Sequence, residues 1–173
     1  LLTSAAETEG LARSVPHSNG VVIVPALAGL GAPHWRPDAQ AAVTGLTFAS
    51  ARAHLVRAAL EAMAHQTHDL MQAFAGDGAA WARLRIDGGM AANAWLAQDL
   101  ADMLDLEVDR PAFLETTALG AAMLAGVGAS LFRDLGEAAA MRGEGETFRP
   151  AMDDAARNLR LAAWRRALAG VLG

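Results

Sequence analysis

The sequence predicts an α/β fold with a mainly parallel sheet, and three observations predict it. Short β-branched runs alternate with longer stretches of helical periodicity, the pattern of βαβ units. One apolar run, "RLRIDGG" (83 to 89), ends in paired glycines and passes at once into a helical pattern. The longest periodic stretch, Ser50 to Ala75, repeats Val56, Leu60, Met63, Thr67, Leu70 and Phe74 at steps of four and three, one face of a single helix.

Residues 1 to 19 read as a mixed lead-in closing in the turn-like His17-Ser18-Asn19-Gly20. "VVIVPAL" (21 to 27) predicts a strand, with Pro25 placing it at an edge or bulge. "GLGAPHWRPDAQ" (29 to 40) is a loop by its Gly and Pro content, and "AAVTGLT" (41 to 47) a second short strand. Ser50 is placed to cap the long helix, and "GDG" (76 to 78) to stop it. A helix from Ala91 to Leu104 follows the paired glycines, then "LEVDRP" (106 to 111) as a strand stopped by proline. "TTALGAAMLAGVGA" (116 to 129) predicts a helix of small residues, and Asp134 to Met141 a brief one. "GEGETFRP" is a loop or edge extension, and residues 153–172 form a terminal helix with Leu161, Trp164, Leu168 and Leu172 inward. The 173 residues make one domain.

Composition excludes several chemistries. There is no cysteine, hence no disulfide, zinc–thiolate site or thiol nucleophile, which fits a cytoplasmic protein. There is no lysine, which removes a Schiff base and the phosphate-gripping lysine of a P-loop. A formal charge of −5 argues against a nucleic-acid surface, and no apolar run is long enough to cross a bilayer.

The candidate site begins at Gly88 and Gly89. A strand ending in two glycines leaves bare backbone where ligands bind in open α/β sheets; a plain turn needing positive φ is the other reading. Asn93, one turn into the following helix, could pair with an adenine edge or a ribose, or satisfy local backbone groups. Small residues all round the helix 116–129 suit either a crowded core or a surface that must move. Glu61, His65, His68 and Asp69 on the long helix have spacing for a metal site, but read more simply as a solvated face. Asp99, Asp102 and Asp105 read as exposed. No nucleophile–base–orienter set can be assembled, so neither a catalytic residue nor a metal ligand is assigned.

Several ordered motifs carry a resemblance. Ala41-x-Val43-x-Gly45-Leu46, then seven residues, then His54-Leu55-x-x-Ala58-Ala59-Leu60-Glu61 resembles the C-terminal signature of the FGGY carbohydrate kinases. "GLGAPHW" (29 to 35), "DGGMAAN" (87 to 93), "TALGAAMLAG" (117 to 126) and "FRP" with "RNLRLAAWRRAL" (148 to 150, 157 to 168) resemble its glycerol-phosphorylating members more than its xylulose-type ones. The chain departs from them at Arg36, Gln40-Ala41, Phe48 and Ala94.

The resemblance implies an actin-like, ribonuclease-H-like ATPase domain, the C-terminal FGGY domain, lacking its first strands and the whole N-terminal domain. It implies ATP and Mg²⁺, with the magnesium ligands, catalytic Asp and glycerol pocket upstream, so that the chain alone is inactive. It places Gly88, Gly89 and Asn93 beside the adenosine and makes the small-residue helix an interdomain connection. The expected partners are an adenine nucleotide, a polyol and further copies of the chain as a homo-oligomer. A non-catalytic binding or assembly module, associating through unpaired strand edges, is the alternative class.

Overall fold

A computed structural model describes residues 2–173 and carries six α-helices and five short strands among them. The order is α1 (Glu7–Arg13), β1 (Val22–Val24), β2 (Ala42–Thr44), α2 (Arg52–Gly76), β3 (Leu84–Arg85), α3 (Ala94–Leu104), β4 (Val108–Arg110), α4 (Thr116–Gly128), α5 (Leu135–Ala138), β5 (Glu146–Phe148) and α6 (Asp154–Leu172). Short 3-10 turns precede α3 at Gly89–Ala92 and follow α5 at Ala139–Arg142.

The α/β class holds, but not as one mainly parallel sheet. β1 and β2 form an antiparallel pair of their own, and β3, β4 and β5 form a second sheet. Only β3–β4 is parallel, with α3 as its crossover; β5 returns antiparallel to β4. Alternation sets the faces of this second sheet. Leu84, Val108 and Phe148 turn toward Leu100, Leu104 and Leu161 in the principal apolar cluster. A second cluster joins β1 and α6 through Val24, Ala26, Leu30, Trp164 and Leu168, with Trp164 fully buried.

Three local expectations change. Residues 7–13 are helical, not lead-in; Glu7 and Glu9 in the first turn and Arg13 in the last complement the helix dipole. Ser50 does not cap α2: its hydroxyl accepts from the Thr47 amide at 2.9 Å, and Ala51 takes the cap position. His54 closes that turn, its Nδ1 accepting from the Ala51 amide at 2.9 Å. The helix predicted from Ala91 is divided: Ala91 and Ala92 belong to the tighter turn that starts at Gly89, Asn93 is the cap, and the α-helix proper begins at Ala94. The 29–40 loop folds back so that Leu30 and Arg36 exchange both backbone hydrogen bonds at 2.8 Å. The Arg36 guanidinium then donates to the Leu172 carbonyl at 2.5 Å, tying the loop to the end of α6. Among the described residues no helix is long and apolar enough to cross a membrane.

Two glycines give opposite tests of this backbone. At Gly45 φ is +74°, and a Cβ would stand 1.9 Å from the Gly20 carbonyl oxygen. At Gly10, inside α1, a Cβ would meet nothing within 4 Å. We expect Gly45→Ala to cost more than about 2 kcal/mol, and Gly10→Ala to add about 0.5–1 kcal/mol, both read from chemical denaturation.

Candidate functional site

Asp87, Gly88 and Gly89 follow β3 after Ile86 and lead into α3, outside the carboxyl end of a parallel strand. Gly88 takes φ +76° with ψ −179°, a conformation that excludes other residues, and its amide donates to the Leu114 carbonyl at 2.9 Å. The turn explanation of this glycine is therefore correct as far as it goes. It does not account for Gly89, whose φ is not positive. A Cβ at either position would meet nothing within 4 Å. The backbone here faces open space, not a side-chain wall.

Asn93 is the N-cap of α3, not a residue one turn inside it. Its Oδ1 accepts from the Leu96 amide at 3.0 Å, satisfying an orphan N–H of the first turn. Its Nδ2 donates to Thr8 Oγ1 at 3.2 Å, and the adjacent Ala94 amide donates to Glu9 Oε2 at 3.1 Å. The structure thus brings Gly88, Gly89 and Asn93 together on one turn and adds α1, which the sequence reading passed over. The signal for α1 was its charge order, acids first and arginine last.

A cavity of 630 Å³ lies between the outer face of β3–β4–β5 and α4, lined by Arg85, Asp87, Arg110, Thr116, Met123 and Arg142 among others. Asp87 reaches it, and accepts a hydrogen bond from the Thr116 hydroxyl. Gly88, Gly89 and Asn93 do not line it. The helix α4 beside it is not packed in a crowded core. Only Met123 and Gly126 of its thirteen residues are buried, although it has no charged side chain.

The polar stripe of α2 is buried, against the expectation of a solvated face. Glu61, His65 and His68 are 5%, 4% and 7% exposed, and Asp99 of α3, also expected outside, is 4% exposed. The cause is α6, which packs over this stripe and brings a countercharge. Arg160 grips Asp99 with both guanidinium nitrogens at 2.5 and 2.9 Å and lies 4.0 Å from Glu61. Arg57 pairs with Glu61 at 2.9 Å. The buried alanines 58, 62 and 64 were the available sign that α2 is covered on more than one side.

Burial pushes the Asp99 carboxyl above its ordinary range, against the pull of Arg160. Burial also works against the Arg160 charge, but Asp99 together with Glu61 and Asp102 outweighs it and holds the guanidinium above its usual value. Asp69 accepts from Trp164 Nε1 at 2.8 Å and pairs with His34 Nε2 at 3.2 Å. Burial works to raise this carboxyl; contacts with His68, Trp164 and His34 outweigh it and hold it low. His65 stacks on Trp164 with centroids 5.2 Å apart, and neither ring nitrogen has a hydrogen-bond partner among the described residues. Burial, with the Arg160 charge adding to it, drives its pKa down to about 3. No three His, Asp or Glu side chains among the described residues converge to hold a metal ion.

His65 makes stability depend on acidity. It stays neutral in the fold until pH about 3, while in the unfolded chain it gains a proton below about 6.5. Its contribution is therefore complete above pH 6.5 and declines as pH falls toward 3. Thermal unfolding across that range should show His65→Phe losing less stability on acidification than the parent; parallel curves would contradict this.

Residues 2–129 match the FGGY family of carbohydrate kinases, C-terminal domain. The chain is 54% identical over 168 residues to a glycerol kinase of Rhodospirillum centenum, covering 97% of this chain and 34% of that protein. It is 48% identical over 169 residues to one of Gluconobacter oxydans, covering 97% of this chain and 33% of that protein. The crystal structure of Plasmodium falciparum glycerol kinase with ADP superposes with a TM-score of 0.87 at 32% identity, over 99% of this chain and 35% of that one. The chain thus spans about a third of the length of the curated relatives it matches. With its α/β architecture and the matched motifs in place, the chain belongs to the FGGY family of carbohydrate kinases, whose C-terminal domain it carries.

Proposed function

We propose that this chain is the adenine-nucleotide-binding part of an ATP-dependent kinase that converts glycerol and ATP to glycerol 3-phosphate and ADP. The observation that carries the reading is the unobstructed backbone at Gly88 and Gly89, one turn from the side-chain amide of Asn93. A flat nucleoside needs such a surface, and any Cβ there would project into the space it occupies. Asn93 can offer both a donor and an acceptor to a base or ribose. Glycerol is the substrate favoured by the relatives, named as glycerol kinases at 54% and 48% identity, and the nucleotide by the ADP in the Plasmodium falciparum structure.

In this reading the chain binds and orients adenosine and does no bond making itself. Its described residues do not fit Mg²⁺, since no carboxylate cluster suited to a cation is present among them. The catalytic base, the magnesium ligands and the glycerol contacts are assigned outside these 173 residues. Phosphoryl transfer depends mainly on positioning and charge stabilisation, so a part that only holds the nucleotide still contributes to rate. The uncharged, largely exposed α4 suits an interdomain connection, where close approach and movement are both required. Cytoplasmic location and a homo-oligomeric assembly belong to the same reading.

Calorimetric titration of the protein with ADP tests it. Saturable binding is expected, and Gly89→Val should weaken it about tenfold or more without lowering the melting temperature, because the added side chain enters open space. Equal affinity in the variant would overturn the site. Purified alone, the 173-residue chain should phosphorylate no glycerol; turnover by it would overturn the division of roles.

A further inference from the structure

We infer that Thr8 is a positioning residue for Asn93, and that through it α1 sets the choice between adenine and guanine nucleotides. The inference rests on the nucleotide reading of the preceding section.

The donor and acceptor roles around Asn93 are determined in one sense only. The Thr8 hydroxyl donates to the Ala5 carbonyl at 2.7 Å, so toward Asn93 it has only lone pairs to offer. It must therefore face the amide nitrogen, and Asn93 Nδ2 lies 3.2 Å away. On the other side the Leu96 amide is a donor and must face Oδ1, at 3.0 Å. Both neighbours demand the same orientation of the carboxamide. Turning it over would set oxygen against oxygen at Thr8 and nitrogen against N–H at Leu96.

α1 is itself held in place, so this is a fixed support. Glu9 accepts from the Ala94 amide at 3.1 Å and is braced by Arg13 at 2.9 Å. Arg57 donates to the Val15 and Ala12 carbonyls past the middle and end of α1, at 2.6 and 3.3 Å, while its guanidinium stacks 4.9 Å from the Trp95 ring centroid. α1 is thereby fastened to α2 and to the start of α3.

A carboxamide has two N–H donors and two acceptor lone pairs. Thr8 uses one donor and Leu96 one lone pair, leaving one of each for a ligand. Along its pairing edge adenine presents an exocyclic N–H donor beside a ring-nitrogen acceptor, and guanine presents a carbonyl acceptor beside a ring N–H donor. The order is reversed. A carboxamide free to turn over serves either base; one held in a single orientation serves one of them. With the Thr8 contact removed, only the cap hydrogen bond opposes the turned-over form.

The test compares ADP and GDP binding in the parent, Thr8→Val and Thr8→Ser, with Gly89→Val as reference. Thr8→Val keeps the shape and removes the acceptor. It should reduce the preference for ADP over GDP about five- to tenfold, the size of one neutral hydrogen bond, mainly by strengthening GDP binding, since the cap bond still favours the orientation that serves ADP. Thr8→Ser should keep the parent preference. In the parent, the Asn93 side-chain amide protons should exchange slowly by NMR, and faster in Thr8→Val. Equal weakening of both nucleotides, or an unchanged ratio while Gly89→Val still weakens ADP, would overturn the inference alone. Indifference of ADP binding to Gly89→Val would overturn the nucleotide site and the inference with it.

Discussion

Arg160 is the charge on which the packing of α2, α3 and α6 depends. It reaches from α6 into the junction of α2 and α3 and meets Asp99 with both nitrogens, with Glu61 at the edge of reach. Both carboxylates are buried. Separately, each would be a costly buried charge; assembled, each makes the others tolerable. Such a network adds little net stability over well-packed apolar residues, but its geometry has few solutions. An α6 rotated or shifted by one position would leave Asp99 buried without a cation and Glu61 with Arg57 alone. The network therefore fixes how α6 lies on the domain, and with it Trp164, on which His65 stacks and whose ring nitrogen holds Asp69.

The elements legible in the sequence were those with a local cause. The span of α2 followed from its repeat and α6 from its inward Leu161, Trp164 and Leu168, with Asp153, read as its first residue, serving as its cap; β3 closes at Arg85, just short of the glycines. What failed was decided at a distance. The polar stripe of α2 carries the residues of a wet surface, and only the arrival of α6 makes it an interior. The sheet divides in two because β1 pairs with β2 and with no later strand, a choice that short β-branched runs do not encode. Asn93 was found as a candidate, but placed inside a helix, because the tight turn over 89–92 has the same apolar spacing as the α-helix it precedes.

The site joins two economies of the chain. Gly88 is needed for the turn itself, since its backbone geometry is closed to side chains, whereas Gly89 is free of that requirement and leaves space empty. Asn93 similarly has a structural duty at the head of α3 and hydrogen-bonding capacity to spare. A residue with both tasks cannot be judged by replacement with alanine, which removes the cap along with any ligand contact. Substitutions that add bulk at Gly89, or alter a neighbour of Asn93, separate the two.

The helix α4 has a practical consequence. From Thr116 to Phe132 the chain holds no ionisable side chain, and Leu124 and Leu131 stand 61% and 76% exposed. Residues 39–51 likewise hold no ionisable side chain, and Leu46 and Phe48 there are exposed, so α4 is one of two such uncharged surfaces. Concentrating the chain brings these uncharged faces together ahead of the charged surface, and they limit its colloidal stability.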